Sequence, residues 1–107
     1  MKWKNILKYN ECYVYENEGE IIGFISLIFY ITIFHKVGTV LINELIVNER
    51  HRNQQVGKQL LEYAISESSK RGIDEIEVGV MKNNESAIRF YKQNGLNEEY
   101  YLLGLNL

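Results

Sequence analysis

The chain has 107 residues, 46% of them hydrophobic and 24% charged, which allows one ordinary globular core and leaves little material for a second domain. A formal net charge of −2 provides no broad positive field for a phosphate backbone, so nucleic acid is not expected as a partner. Cys12 is the sole cysteine and His35 and His51 the only histidines, which excludes an intrachain disulfide and disfavours a zinc centre. With no signal-peptide pattern, and with an apolar run at 21–34 too short to span a bilayer, a single cytoplasmic domain over residues 1–107 with no membrane role is expected.

Residues 1–10 place Trp3, Ile6 and Leu7 at helical spacing but are short for an independent helix, and no element is assigned to them. Residues 12–15 are β-formers and lead into the turn signal Glu16-Asn17-Glu18-Gly19-Glu20. The run over 21–33, dense in β-branched and aromatic residues, completes an antiparallel hairpin. A second turn, His35-Lys36-Val37-Gly38, returns the chain into a strand over 39–47. Asn43 and Glu44 break the apolar pattern of that strand, as either a bulge or a pair of side chains aimed into a site would.

From about 53 to 71, Val56, Leu60, Leu61, Ala64 and Ile65 share one helical face, and Gly72 suits the position just past the helix end. Residues 76–80 alternate as a strand. Asn83 and Asn84 precede a helix over 85–93 with Ala87, Ile88, Phe90 and Tyr91 on its apolar face and Asn94-Gly95 as its stop. Residues 100–107 read as a final strand. The order β-β-β-α-β-α-β, without repeat or linker, predicts an α/β (α+β) fold: a mixed, mostly antiparallel sheet flanked by helices.

Between the strand at 39–47 and the first helix lies RNQQVGK, residues 52–58. The first N–H groups of a helix lack intrahelical partners, and the macrodipole adds roughly half a positive charge at that end. An anion held along Arg52, Asn53, Gln54, Gln55, Val56, Gly57 and Lys58 would gain from both, with Arg52 and Lys58 as neighbouring cations. Gly57 removes a Cβ where backbone and ligand would approach closest. A polar loop that merely caps a helix is the simpler reading of one glycine taken alone.

The segment NELIVNERHRNQQVGKQLLEYAI, residues 43–65, resembles the acetyl-CoA motif of the GNAT superfamily of N-acetyltransferases, whose loop reads Gln/Arg-x-x-Gly-x-Gly/Ala. Arg52 and Gly57 match its ends, and Gln55 stands where the first glycine is usual. A second segment, NESAIRFYKQNGL at 84–96, resembles the family pattern Asn-x-x-Ala-x-x-x-Tyr-x-x-x-Gly-Phe through Asn84, Ala87, Tyr91 and Gly95, with Leu96 in place of phenylalanine. The two matches stand in the family's order and spacing, and the resemblance runs over residues 12–107.

The resemblance implies acetyl-CoA as cosubstrate and transfer of its acetyl group to a primary amine of a small molecule or a protein. Backbone groups of Leu45, Ile46 and Val47 would pair with the pantetheine arm as though it were a strand, the strand at 76–80 diverging to make room. Residues Arg52 to Lys58 would hold the diphosphate. Asn84 would hydrogen-bond the arm at the mouth of the opening, or cap its helix. Tyr91 would hydrogen-bond the departing thiolate, or serve as a core aromatic. With ordinary pKa values of about 10 for tyrosine and about 8.5 for a thiol, a hydrogen bond as sulfur charge develops is the safer role than full proton transfer.

An amine must be neutral to attack, and at neutral pH a group with a pKa of about 8 is partly so and a lysine near 10.4 scarcely at all. A base, acting through water, is therefore useful. The resemblance implies Glu44 as the candidate, three residues before Val47 in the central strand, where some family members carry a functional acidic residue; a paired or solvent-facing strand glutamate is the alternative. Gly79 lies where certain peptide N-terminal acetylating relatives place a catalytic glutamate, which disfavours that specificity. Tyr13, Tyr15, Phe24, Phe29, Tyr30 and Phe34 are either walls of an acceptor pocket or core and sheet-face residues.

Family members usually carry a strand and two helices before the hairpin, where this chain has residues 1–11. The acceptor site is then open or covered by a second subunit. Because a sheet without its first strand exposes an edge, a homodimer is expected. The competing expectation, motivated by Gln55, the short N-terminus and Gly79, is a CoA-binding or interaction module with the same fold and no catalysis.

Overall fold

The computed structural model describes residues 2–7, 10–31, 37–52 and 54–107. Five strands form one sheet in the order β1 (Lys2–Leu7), β2 (Asn10–Asn17), β3 (Glu20–Tyr30), β4 (Thr39–Val47) and β5 (Glu75–Val78). The first four are antiparallel neighbours, and β5 joins parallel to β4 after a crossover through α1 (Val56–Lys70). Helix α2 (Glu85–Gln93) follows. The β2–β3 hairpin closes through Glu18 and Gly19, at φ 51° and 80°; two successive left-handed residues give the turn whose twist matches its strands.

Both helices stop for the same reason. Gly72, at φ 73°, lets its own N–H reach Ser69 and the Ile73 N–H reach the Ser68 carbonyl, and Gly95, at φ 101°, does likewise with Lys92 and Tyr91. These glycine-based reversals satisfy carbonyls that a helix end otherwise leaves open.

The apolar face of α1 buries Val56, Leu60, Leu61 and Ala64 against Tyr13, Ile22, Ile25, Leu27, Val40 and Ile42 of the sheet. Strand register places Ile25, Leu27, Val40, Ile42, Ile76 and Val78 on that one face, and Phe90, Tyr91 and Leu96 pack against the same core, so both helices lie on one side. Tyr13 is wholly buried, its ring edge-on to Tyr63 at 4.8 Å. Its hydroxyl donates to Glu11 and accepts from Arg71, whose Nη1 lies 2.7 Å from the Glu11 carboxylate, so the C-terminus of α1 is tied to β2.

The mixed, mostly antiparallel sheet flanked by helices is the expected architecture; the two ends of the chain differ from expectation. Residues 2–7, to which sequence periodicity assigns nothing, form β1 and pair with β2 from Lys2↔Val14 to Leu7↔Asn10, so the sheet does not lack a first strand. Helical spacing in so short a segment is overridden by a partner strand that satisfies its backbone groups. At the other end, residues 100–107 carry no strand, although the Tyr100 hydroxyl reaches Glu75 on β5. Among the described residues, no helix precedes β2 and none is long and apolar enough to cross a membrane. The turn at His35 and Lys36, and Phe34, lie outside the described residues.

Candidate active site

Asn43 and Glu44 interrupt β4 as a bulge. Leu27 pairs with Ile42 and Ser26 with Glu44, so Asn43 opposes nothing on β3. On its other side β4 pairs with β5 over Thr39↔Glu75 to Ile42↔Val78 and no further. The two strands therefore part at the bulge, and the remainder of β4, Asn43 to Val47, faces an opening rather than a strand. A cleft of about 300 Å³ occupies the parting, lined by Ile42, Asn43, Glu44, Leu45, Val78, Gly79, Val80, Met81, Asn84, Ala87 and Tyr91. Register sets Leu45 on the helix-bearing face and Glu44 on the opposite one, so the opening communicates with both sides of the sheet.

Helix α2 closes the cleft from below. The Asn84 side-chain oxygen accepts from the Ala87 N–H at 3.2 Å, capping the helix, and its amide nitrogen keeps donor capacity toward the cleft. Two helical turns on from Asn84, Tyr91 is half-buried, and burial holds its hydroxyl above the usual tyrosine pKa of about 10. It is therefore a proton-bearing donor at any physiological pH. Glu44 is exposed.

Where β4 ends, Asn48 caps a single helical turn (Glu49–His51), and the chain then enters α1 through Gln55, whose φ of 61° is left-handed. Gln55 makes no side-chain capping bond. The Gln59 N–H donates to the Gln55 carbonyl, and the amides of Val56, Gly57 and Lys58 form the first turn of the helix, where amides lack partners one turn back within the helix. A second cleft of about 430 Å³ lies against this end, lined by Val47, His51, Arg52, Gln55, Val56, Gly57, Lys58, Phe90, Gln93 and Asn94. A Cβ on Gly57 would meet Phe90 and Val47 at an ordinary 3.7 Å, so protein packing does not demand glycine there. Gly23 beneath is different: a Cβ would stand 3.1 Å from the Ile46 carbonyl oxygen and the Val56 side chain, which is how closely α1 sits on the sheet.

A family model, Acetyltransferase (GNAT) family, matches residues 2–96. The chain belongs to the GNAT acetyltransferases. It is 31% identical over 83 residues to the aminoalkylphosphonate N-acetyltransferase of Salmonella typhimurium, a match covering 78% of this chain and 54% of that relative. The chain thus spans about half the length of that curated relative. Among solved structures it superposes on a transcriptional regulator from Bacillus halodurans C-125 with a TM-score of 0.85 at 28% identity, over 94% of this chain and 67% of that one. It also shares its fold with AAC(6')-Iy, solved in complex with the bisubstrate analogue CoA-S-monomethyl-acetylneamine, at a TM-score of 0.80 and 16% identity, over 94% and 71% of the two chains.

The GNAT chain gathers its sequence-selected residues into two clefts joined by β4. Glu44, Leu45, Asn84 and Tyr91 line the parting of the strands; Val47, Arg52, Gln55, Val56, Gly57 and Lys58 line the helix end. Ile46 and Gln54 line neither cleft, and Asn53 lies outside the described residues. None of Tyr13, Tyr15, Phe24, Phe29 and Tyr30 lines either cleft; Tyr13 is core, and Phe29 lies beneath the Arg71 guanidinium. Sequence reasoning missed Phe90, Gln93 and Asn94, which reach the helix-end cleft from α2 and its C-terminal cap, and Met81 at the strand parting. The three-and-four spacing of the first group was the available signal.

Proposed function

We propose that this GNAT domain is an acetyl-CoA-dependent N-acetyltransferase that moves an acetyl group to a primary amine, of a small molecule or a protein, by direct transfer. The observation that carries the reading is the coincidence of a strand parting at the Asn43 bulge with an open helix end one strand-length away, both served by β4. Acetyl-CoA would supply a thioester carbonyl at the parting. The amides of Val56, Gly57 and Lys58, with Arg52 and Lys58 beside them, suit a diphosphate, and the absence of a Cβ at Gly57 leaves it room. Leu45, Ile46 and Val47 would offer backbone donors and acceptors to an extended arm, and an N–H near Ile46 or Val47 would stabilise charge on a carbonyl oxygen.

Tyr91 donates a hydrogen bond to sulfur as the thiolate forms, its raised pKa keeping the proton on the phenol. Glu44, on the opposite face, takes a proton from the approaching amine through water. The acceptor in this reading comes from the face that carries no helix among the described residues. A cytoplasmic setting suits the single buried Cys12. A second reading, the same fold binding CoA without turnover, is favoured by Gly79, which offers no side chain to the cleft. Calorimetric titration with acetyl-CoA followed by an assay over a panel of amines separates them. Binding with turnover supports the enzyme, binding alone supports the second reading, and neither rejects both.

A further inference from the structure

The Ser26 hydroxyl, midway along β3, is buried and makes no hydrogen bond among the described residues. A hydroxyl in that state has lost its water without gaining a partner, which native chains rarely leave unexplained. Ile25 and Leu27 point to the helix-bearing face, so Ser26 points to the other. Its same-face neighbours along β3, Phe24 and Ile28, bring no acceptor, and Cys12, opposed on β2, brings only a weak one. The remaining side belongs to β4.

There the bulge decides what Ser26 meets. Leu27 pairs with Ile42, and a regular ladder would next set Asn43 opposite Ser26; the extra residue sets Glu44 there instead. Opposed Cβ atoms of an antiparallel pair stand about 5 Å apart, a gap that a glutamate side chain closes. Glu44 is exposed and makes no ion pair or side-chain hydrogen bond among the described residues, so nothing holds its carboxylate in one place. A donor and an acceptor, each without a partner, thus face one another on the side of the sheet from which the acceptor comes. We propose that Ser26 is a positioning residue for Glu44: as the acceptor amine fills this face, the carboxylate folds onto the Ser26 hydroxyl, which donates to one of its oxygens and leaves the other toward the strand parting. The inference rests on Glu44 as the base of the proposed transfer. In that arrangement the amine nitrogen bonds to the acyl carbon as the carbon–sulfur bond breaks, its proton passes through water to the free carboxylate oxygen, the thiolate leaves with the electron pair, and Ser26 keeps its own proton. The gain is in orientation. A carboxylate on a long rotating stem is in place only part of the time, and one fixed donor raises that fraction.

Steady-state kinetics with an amine that the panel shows to be acetylated, on the unaltered chain, Ser26→Ala, Glu44→Gln and the double variant, tests it beside acetyl-CoA titration and chemical denaturation. Ser26→Ala is expected to lower kcat about fivefold or more with the acetyl-CoA dissociation constant unchanged. Its denaturant midpoint is expected to equal or exceed that of the unaltered chain, because the resting fold loses no hydrogen bond. In the Glu44→Gln background the same change is expected to alter kcat less than about twofold, since the base that Ser26 positions has gone. Ser26→Thr, which keeps the hydroxyl, is expected to stay within about twofold of the unaltered chain. Full kcat in Ser26→Ala, losses that multiply in the double variant, or a midpoint that falls in Ser26→Ala would overturn the inference and leave Glu44 as base. Unchanged kcat in Glu44→Gln, or no turnover with any amine, would overturn the Glu44 reading and the inference together.

Discussion

Gln55 holds a backbone conformation that suits glycine. Its φ of 61° is the left-handed region, where a side chain costs about 1–2 kcal/mol, and it occupies the motif position where glycine is usual. The loop thus holds a left-handed residue at this position and accepts the strain of a side chain there. Replacing Gln55 with glycine removes the strain but adds unfolded-state entropy. The expected net gain is roughly 0.5–1 kcal/mol, read as a higher denaturant midpoint with an unchanged m-value. At Tyr91 the expectation concerns rate. Burial raises its pKa, so the phenol stays protonated as pH rises past 10, and no loss of kcat below that pH is attributable to it. Tyr91→Phe is expected to lower kcat about tenfold or more while leaving the acetyl-CoA dissociation constant nearly unchanged, and steady-state kinetics beside calorimetry measures both. Equal turnover in the variant would return Tyr91 to a packing role.

At the level of elements, the site depends on how β3, β4 and α1 meet. Gly23 on β3 lets α1 sit on the sheet, and Gly23→Ala would press a methyl into the Ile46 carbonyl and Val56. A cost of about 1–3 kcal/mol in chemical denaturation is expected, and weaker acetyl-CoA binding with it, because the displaced residues carry the helix end. Much of this organisation was legible beforehand. Asn43 and Glu44 stand out because two polar residues in a buried strand demand a reason, and the bulge is that reason. The face of α1 and the glycines that end both helices follow from period and from the left-handed requirement. What could not be read was partnership. Residues 2–7 become a strand because β2 lies beside them, and residues 100–107, strand-like in composition, pair with no strand among the described residues. Pairing is a tertiary fact that local spacing does not report. For the same reason Phe90, Gln93 and Asn94 were missed, since their place in the cleft depends on α2 packing across the start of α1.

At the scale of the whole molecule, alkaline pH is expected to unfold the protein. The Tyr13 pKa is raised, chiefly by burial and then by its hydrogen bond to Glu11, and that of Tyr30 is pushed up to about 12, chiefly by its hydrogen bond to Glu77. In the unfolded chain both ionise near pH 10, so their contribution is intact below that pH and is lost progressively above it, as the unfolded state releases protons that the folded state retains. A melting temperature that falls from about pH 10 upward, with a shallower fall in Tyr13→Phe, is the expected pattern; a flat profile would contradict it. The central claim is that the open end of α1, reached along the freed half of β4, grips an acyl-CoA. Titration of acetyl-CoA into the full chain and into Gly57→Ala tests it most directly, because a Cβ at Gly57 meets only ordinary contacts within the protein. One molecule bound per chain is expected, with affinity about tenfold weaker in the variant and folding stability equal or slightly higher. No binding at saturating acetyl-CoA, or equal affinity in both proteins, would contradict the claim.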